Sequence, residues 1–307
     1  MARGIEAAGL NADMCPAADG GEGTMAALLS ACGGQTVTEQ VHDPLGREIE
    51  ASFALLPGGD TAVIEIAQAS GLALVTEGER DPERASTRGT GELIVAAARA
   101  GARSILVATG GSATTDGGEG AITAIEEAGG LEGPRLTVLC DVRTPWELAA
   151  EVFAPQKGAD DAAVRRLAQR LEQLAARFPR DPRGVPLSGS AGGLSGGLWA
   201  AFNARLELGA SFVLDAVGFD LRMRIANAVV SGEGQLDAQS FLGKVIGEIA
   251  ARTREAGVPL HAIVGRSRME LADARSAGLE GVSEASTLEE IEATAHHVAA
   301  EIAGQDR

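Results

Sequence analysis

The sequence predicts an α/β protein with two domains, one inserted into the other. Helical and strand-like segments alternate after residue 211, which is typical of parallel strands joined by right-handed crossovers. Residues 35–66 hold three short β-rich runs separated by turn sequences, which indicates an antiparallel meander. Both chain ends therefore belong to one discontinuous outer domain, 1–34 and 211–307, and residues 35–210 form an inserted α/β domain.

The elements follow in order from hydrophobic periodicity and from glycine or proline at their ends. In the first half we predict a helix tail ending near Gly9, a strand over 12–17, a helix over 24–32, meander strands over 35–41, 49–56 and 61–66, a helix over 90–100, a strand over 104–108, a helix over 120–128, a strand over 136–140 and a long helix over 160–178. In the second half we predict a loop over 189–197, helices over 198–204 and 211–223, a strand over 226–230, a helix over 244–256, a strand over 259–264 and a helix over 288–302.

Composition and charge argue against several kinds of partner. The net charge of −17 disfavours nucleic acids and anionic membranes, and the absence of tyrosine argues against base stacking. No apolar stretch has the length of a membrane span, and no secretory signal is present. Three cysteines without metal-like spacing fit a reducing compartment. We therefore expect a cytoplasmic protein whose partners are small molecules.

The most informative loop spans residues 107–120 and directly follows a buried apolar run. Its glycines, Gly110 and Gly111 among them, let backbone N–H groups approach a ligand, and Ser112 and Thr114 add short donors. Asp116 offers a hard oxygen of the kind that Mg²⁺ prefers. The loop predicts a phosphate site, although the chain carries neither of the two standard glycine-rich nucleotide signatures.

Two other acidic, glycine-rich loops accompany it. Residues 18–24 contain Asp19 and Glu22, and residues 231–237 contain Glu233 and Asp237. Taken singly, each loop is slightly better explained as an ordinary turn between a strand and a helix than as a site, and helix capping is the stronger interpretation for Asp237. Three such loops together favour one composite site.

Further candidates lie at the ends of strands and the starts of helices. Asp141 ends a strand at its carboxyl end, where α/β sheets bind ligands. Lys157, in a loop framed by proline and glycine, and Lys244, at a helix start, could each bind an anion. Glu92 is as consistent with a helix-dipole partner as with a site group. No triad, G-x-S-x-G or H-E-x-x-H pattern occurs, which leaves hydrolase and zinc chemistry without support.

Several motifs together resemble the type I glycerate kinase family, the bacterial kinases of D-glycerate. They occur in the family's order over nearly the whole chain, at residues 18–24, 89–94, 110–118, 140–142, 155–159, 232–237 and 243–244. The resemblance implies a Rossmann- or flavodoxin-like discontinuous domain with a second mixed α/β domain inserted. It also implies ATP as cosubstrate, Mg²⁺, a cleft site and a phosphoglycerate product, and a homodimer is possible.

Under this resemblance the candidate residues take provisional roles. Asp116, Asp19 and Asp141 are candidates for the base, and Asp116 and Asp141 also for holding Mg²⁺. Lys157 and Lys244 are candidates for binding the glycerate carboxylate or the phosphoryl group. Which carboxylate does which task stays open. The alternatives are a kinase for another small hydroxy acid and a non-catalytic ligand-binding remnant.

Two departures from the family pattern stand out. Family members usually begin with a strand and an Asp-Ser-Phe-Lys-Gly loop, and the sequence starts after both. We expect a start site placed too far downstream, the alternative being a true truncation. Arg88 stands where relatives often carry tyrosine.

Overall fold

A computed structural model describes residues 1–241 and 243–305. Its helices are α1 Ala2–Ala7, α2 Thr24–Cys32, α3 Ala67–Ser70, α4 Arg88–Arg99, α5 Glu119–Glu127, α6 Ala149–Phe153, α7 Asp161–Ala175, α8 Leu194–Phe202, α9 Gly209–Ala216, α10 Phe219–Met223, α11 Val245–Ala256, α12 Leu271–Ser276 and α13 Leu288–Gln305. Its strands are β1 Gln35–His42, β2 Glu48–Leu55, β3 Thr61–Glu65, β4 Ser104–Ala108, β5 Arg135–Cys140, β6 Arg205–Leu208, β7 Val229–Ser231, β8 Gln235–Leu236, β9 Leu260–Val264, β10 Arg266–Ser267 and β11 Gly281–Glu284.

The larger compact unit, Ala18–Val213, is built on a six-stranded sheet of order β1-β2-β3-β4-β5-β6. β1, β2 and β3 form the expected antiparallel meander, whereas β3 to β6 are mutually parallel. Because parallel strands run the same way, the carboxyl ends of β3, β4 and β5 lie at one edge of the sheet. Glu65, Ala108 and Cys140 are the last residues of these strands.

Alternating side chains along β4 fill two cores, one on each face of the sheet. Ile105 and Val107 join the larger core, whose other members include residues of α4, α5 and α8. Leu106 faces the other side and packs with Leu28 of α2. Leu28 is 1% exposed, and burial of such a side chain contributes about 1.5–3 kcal/mol.

The second compact unit comprises Met1–Ala17 and Leu214–Arg307. Its parallel sheet has the order β11-β9-β7, and β8 pairs with β10. Helix α1 packs on α13, where a Cβ on Gly4 would lie 2.1 Å from the backbone oxygen of Glu292. The absent side chain is what allows this close helix contact.

The structure confirms the α/β class, while the proposed two-domain arrangement stays a prediction. The compact units differ from the predicted boundaries mainly in residues 18–34, since α2 covers a face of the six-stranded sheet. Residues 12–17 form no strand, because no neighbouring strand pairs with them in the described sheets. The helix predicted over 211–223 is two helices interrupted at Gly218, which has φ +69°. Strand β6 was not predicted.

Candidate functional site

Two of the predicted loops meet at the carboxyl edge of the parallel strands. The amide of Thr109, just after β4, donates to the carbonyl of Gly20 at 2.6 Å. Gly20 also lies against the end of β5, where a Cβ would come within 2.8 Å of the Leu139 carbonyl oxygen. The acidic loop 18–24 therefore crosses the ends of two adjacent strands, beside the glycine-rich loop 107–118.

Steric crowding at this junction leaves no room for a Cβ atom, so glycine is required there. A Cβ on Gly110 would lie 2.4 Å from the Cα of Gly21, so the two backbones touch. Gly111 has φ +75°, and a Cβ there would lie 2.3 Å from Oε1 of Glu22. Glycine is the residue that permits such backbone approach and left-handed conformations. Four predicted site residues are thus brought together: Gly110, Gly111, Glu22 and, through its own loop, Asp19.

Asp116 uses its carboxylate to hold the loop. Its Oδ2 accepts hydrogen bonds from the amide and hydroxyl of Thr87 and from the amide of Gly120, and its Oδ1 accepts from the amide of Gly118. Asp116 is 1% exposed. Four donors in a buried pocket leave its oxygens committed to the protein itself.

Lys157 lies beneath the same loop. Its Nζ donates to Oγ of Ser112 at 2.8 Å and to the carbonyl of Thr114 at 2.5 Å. Burial lowers the pKa of Lys157 to about 7, against the opposing effect of the charges on Asp116 and Asp141. The amine of Lys157 thus fixes the loop from behind, while the Ser112 hydroxyl keeps its own proton for another acceptor.

Asp141 and Asp19 form an acidic pair at this edge. Oδ1 of Asp141 accepts from the hydroxyl of Ser190 at 3.0 Å, and the Ser190 and Thr109 hydroxyls are 2.7 Å apart. Burial raises the pKa of Asp141, the Ser190 hydrogen bond lowers it, and the nearby Asp19 charge raises it again. Asp19 itself accepts a hydrogen bond from the amide of Gly21.

A strained turn carries Ser190. Ala191 adopts φ +53° and is followed by left-handed glycines, at Gly192 and Gly193. The carbonyl of Gly192 accepts from the amide of Gly117, which ties the turn to the loop 107–118. Backbone strain of this kind costs about 1–3 kcal/mol and is concentrated at functional sites. Sequence reasoning interpreted residues 189–197 only as a loop of small residues before a helix and missed Ser190.

Glu65 is a second residue that sequence reasoning missed. It ends β3 and is 6% exposed, and its Oε1 accepts from the amide of Met25 at 2.7 Å. Burial raises its pKa, while the amides of Met25 and Gly23 lower it and the Glu22 charge raises it. Its position at the carboxyl end of a parallel strand was the available signal, but the segment read as the last strand of a meander.

Glu92 has partners of its own. Its carboxylate accepts from the amide of His42 at 2.8 Å and pairs with the His42 ring and with the Arg88 guanidinium. Arg88 also bridges to Glu127. These contacts tie α4 to the end of β1, and the role of Glu92 as a site group stays a prediction.

Three predicted residues lie in the other compact unit. Glu233 follows β7, and its carbonyl accepts from the amide of Gly265. Oδ2 of Asp237 accepts from the side-chain amide of Gln235 at 2.9 Å. Lys244 is exposed and is the N-cap of α11. Their roles stay predictions.

The acidic pair fits Mg²⁺ better than Asp116 does. Within 1–241 and 243–305, no group of three or more His, Cys, Asp or Glu side chains is arranged to hold a metal by itself. Mg²⁺ in kinases is held by one or two carboxylates together with substrate phosphates, so one carboxylate of this pair would be enough. None of the described helices has the length and apolar character needed to cross a bilayer.

Comparisons with known proteins agree with this geometry. The model of the family described as "Glycerate kinase family" matches residues 1–127 and 126–305. The chain is 36% identical to a glycerate kinase of Halalkalibacterium halodurans, covering 83% of this chain and 76% of that protein. It is 35% identical to the glycerate 2-kinase of Escherichia coli, covering 87% and 79% respectively.

A solved structure extends the likeness to the fold. A crystal structure from Salmonella typhimurium LT2, assigned as a glycerate kinase 2, superimposes with a TM-score of 0.81 at 32% identity and covers 99% of this chain and 93% of that one. The resemblance drawn from the sequence motifs is confirmed. The chain belongs to the glycerate kinase family and is an enzyme of that family.

Proposed function

We propose that the chain transfers the γ-phosphoryl group of ATP to a hydroxyl of D-glycerate, giving ADP and phosphoglycerate. One structural observation supports this activity in addition to the family membership. Two glycine-rich loops meet over the carboxyl ends of parallel strands, with Asp19 and Asp141 beside the junction. Phosphoryl transfer depends mainly on positioning and charge neutralisation, and backbone donors with a carboxylate pair supply both.

The loop 107–118 is the proposed phosphate cradle. The amides of Gly110, Gly117 and Gly118 are bonded within the protein, so these glycines shape the loop. The Ser112 hydroxyl can donate its proton to a phosphate oxygen while Lys157 holds the Ser112 oxygen. Asp116 and Lys157 keep the cradle in shape from within, so both act as positioning residues. Under this proposal the side chains of Asp116 and Lys157 support the loop and do not contact the substrate themselves.

Asp141 is the proposed proton acceptor. A carboxylate whose pKa is raised by burial takes up a proton more readily near neutral pH, which suits a general base. The Ser190 hydroxyl fixes the orientation of the carboxylate. Asp19 is then the protein group that would hold Mg²⁺, which when bound neutralises charge on the phosphate oxygens.

A coupled assay of ADP release tests the proposal. Purified protein with Mg²⁺ and ATP is offered D-glycerate, L-glycerate, glycolate and lactate, and phosphorus NMR identifies the product. We expect turnover with D-glycerate, and the name of the Escherichia coli relative makes the 2-phosphate the first expectation. Chelation of Mg²⁺ should stop turnover and added Mg²⁺ restore it. Binding of both substrates without ADP release would reject the proposal in favour of a ligand-binding remnant.

A matched pair of variants tests the assignment of the base. Asp141→Asn should lower kcat by about 10²- to 10⁴-fold with little change in the KM for ATP. Asp60→Asn removes an exposed carboxylate outside the site and should behave like wild type. Wild-type turnover in Asp141→Asn would remove Asp141 from the mechanism.

A further inference from the structure

Glu65 places a buried carboxylate at the first turn of α2. Its oxygens receive the amides of Met25 and Gly23, which are among the donors that a helix N-terminus leaves without intrahelical partners. Residues 18–24 lead directly into this turn. The side chain of Glu65 therefore fixes the end of the acidic loop that bears Asp19 and Glu22.

The backbone that follows Glu65 holds the other loop. The amide of Ile66 donates to the carbonyl of Ala108, and the amide of Leu72 donates to the carbonyl of Gly111 at 2.7 Å. In return, the amide of Ala113 donates to the carbonyl of Ser70 at 2.9 Å. One short segment thus joins loop 107–118 through its backbone and loop 18–24 through the Glu65 carboxylate.

The surroundings of Glu65 disfavour its ionised form relative to water. Burial and the neighbouring Glu22 both disfavour its ionised form, and the helix amides only partly offset them. A carboxyl group whose pKa is raised on folding contributes less stability as the pH rises through that pKa. Stability of the fold therefore does not by itself explain a carboxyl group at this position.

We propose that Glu65 is a positioning residue that fixes the acidic loop 18–24 against the glycine-rich loop 107–118. Its value to catalysis rests on the proposed function, because both loops belong to the proposed active site. The role of Glu65 in ordering the two loops does not depend on the proposed function. The charged group that bears on Glu65 is Glu22, and the backbone amides of Gly23 and Met25 at the start of α2 donate hydrogen bonds to it.

Amide hydrogen exchange tests loop order without any substrate. We compare wild type, Glu65→Gln, and Glu79→Gln as the matched control. Glu79 also accepts a backbone amide at a helical N-terminus, that of Thr76, but it is exposed. The glutamine side chain of Glu65→Gln keeps one acceptor oxygen, and its NH₂ group faces whichever backbone amide, that of Gly23 or Met25, the oxygen does not serve. Exchange over residues 18–25 should quicken by about tenfold, with other segments unchanged. Unchanged exchange there would overturn the proposal.

Stability and kinetics separate positioning from simple core support. The thermal midpoint of Glu65→Gln should stay within about 2 °C of wild type. Its kcat/KM for glycerate should fall about tenfold to a hundredfold, since small displacements of positioned groups are costly. A lower midpoint with faster exchange throughout residues 18–213 would show a merely structural role. If wild type fails to phosphorylate D-glycerate, the proposed function falls while the exchange result still decides the role of Glu65 in loop order.

Discussion

Lys157 and Asp116 are ionisable side chains whose polar atoms bond to other groups inside the protein. A neutral lysine amine has two N–H donors, and the structure offers two acceptors, Ser112 Oγ and the Thr114 carbonyl. Asp116 in turn receives four donors. Burial of a charge is costly unless every polar atom finds a partner. The hydrogen bonds that satisfy Lys157 and Asp116 therefore hold the loop 107–118 in its conformation.

Lys157 gives the protein a predictable pH dependence of stability. Its pKa is about 7 in the fold and 10.5 in the unfolded chain, so between these values the unfolded state binds more protons. The free energy of unfolding therefore rises with pH, by up to about 1.4 kcal/mol per pH unit from this residue. Lys157→Met should remove that rise, so its deficit relative to wild type should grow from pH 7.5 to pH 9 in urea titrations. Lys244→Met, at the exposed lysine, should follow the wild-type slope. Parallel curves for wild type and Lys157→Met would contradict the expectation.

Asp116→Asn tests the role of the four donors. An asparagine has one acceptor oxygen, and its NH₂ group would face a buried N–H, so at least one donor loses its partner. We expect the free energy of unfolding to fall by about 2 kcal/mol in urea. Asp60→Asn, where the side chain is 76% exposed, should change it by less than about 0.5 kcal/mol. Equal stability of the two variants would mean that the hydrogen bonds of Asp116 contribute little.

At the scale of elements, the junction of loops 18–24 and 107–118 rests on backbone contact. Gly110→Ala would force a Cβ to within 2.4 Å of the Gly21 Cα, which neither backbone can accommodate without moving. We expect about 1–3 kcal/mol of destabilisation and a fall in kcat/KM of about a hundredfold. Gly78→Ala is the matched control, since a Cβ there meets nothing within 4 Å. Thermal unfolding and the ADP-release assay measure the two effects, and a Gly110→Ala enzyme resembling Gly78→Ala would refute the contact.

Much of this junction was predictable from the sequence, and the exceptions have physical reasons. The strand at 104–108 was predicted with the bounds it has, and its loop was expected near 18–24 because both follow apolar runs. Helix α2 was predicted at its observed bounds, yet it was grouped with the outer domain. Which sheet a helix covers depends on strand order, which hydrophobic periodicity does not report.

Glu65 and Ser190 escaped prediction for a related reason. Both residues act through partners distant in sequence, at Met25 and at Asp141. A glutamate at the end of a β-rich run and a serine among glycines carry no local signal of such contacts. Asp116 was predicted as a candidate base or Mg²⁺ ligand, and that prediction stays open. The sequence carried no signal of the hydrogen bonds that its carboxylate accepts from Thr87, Gly118 and Gly120.

At the scale of the whole molecule, the six-stranded sheet and its cores lie within Ala18–Val213. This continuous segment should therefore fold when produced without the rest of the chain. Both tryptophans, Trp146 and Trp199, belong to it, so their fluorescence reports on this unit. We expect the isolated segment to show a cooperative fluorescence transition in urea, with Trp146 buried as in the full chain. A non-cooperative transition would show that the segment depends on residues outside it.

The three cysteines differ in access, and that difference has a practical consequence. Cys32 is exposed, whereas Cys140 at the end of β5 is buried and its thiol pKa is raised by burial. A thiolate is the reactive form, so an alkylating reagent should label Cys32 in the native protein and spare Cys140. Labelling of Cys140 then requires β5 to open. The rate of Cys140 labelling, measured by mass spectrometry, therefore reports how often β5, the strand directly before Asp141, separates from its neighbours.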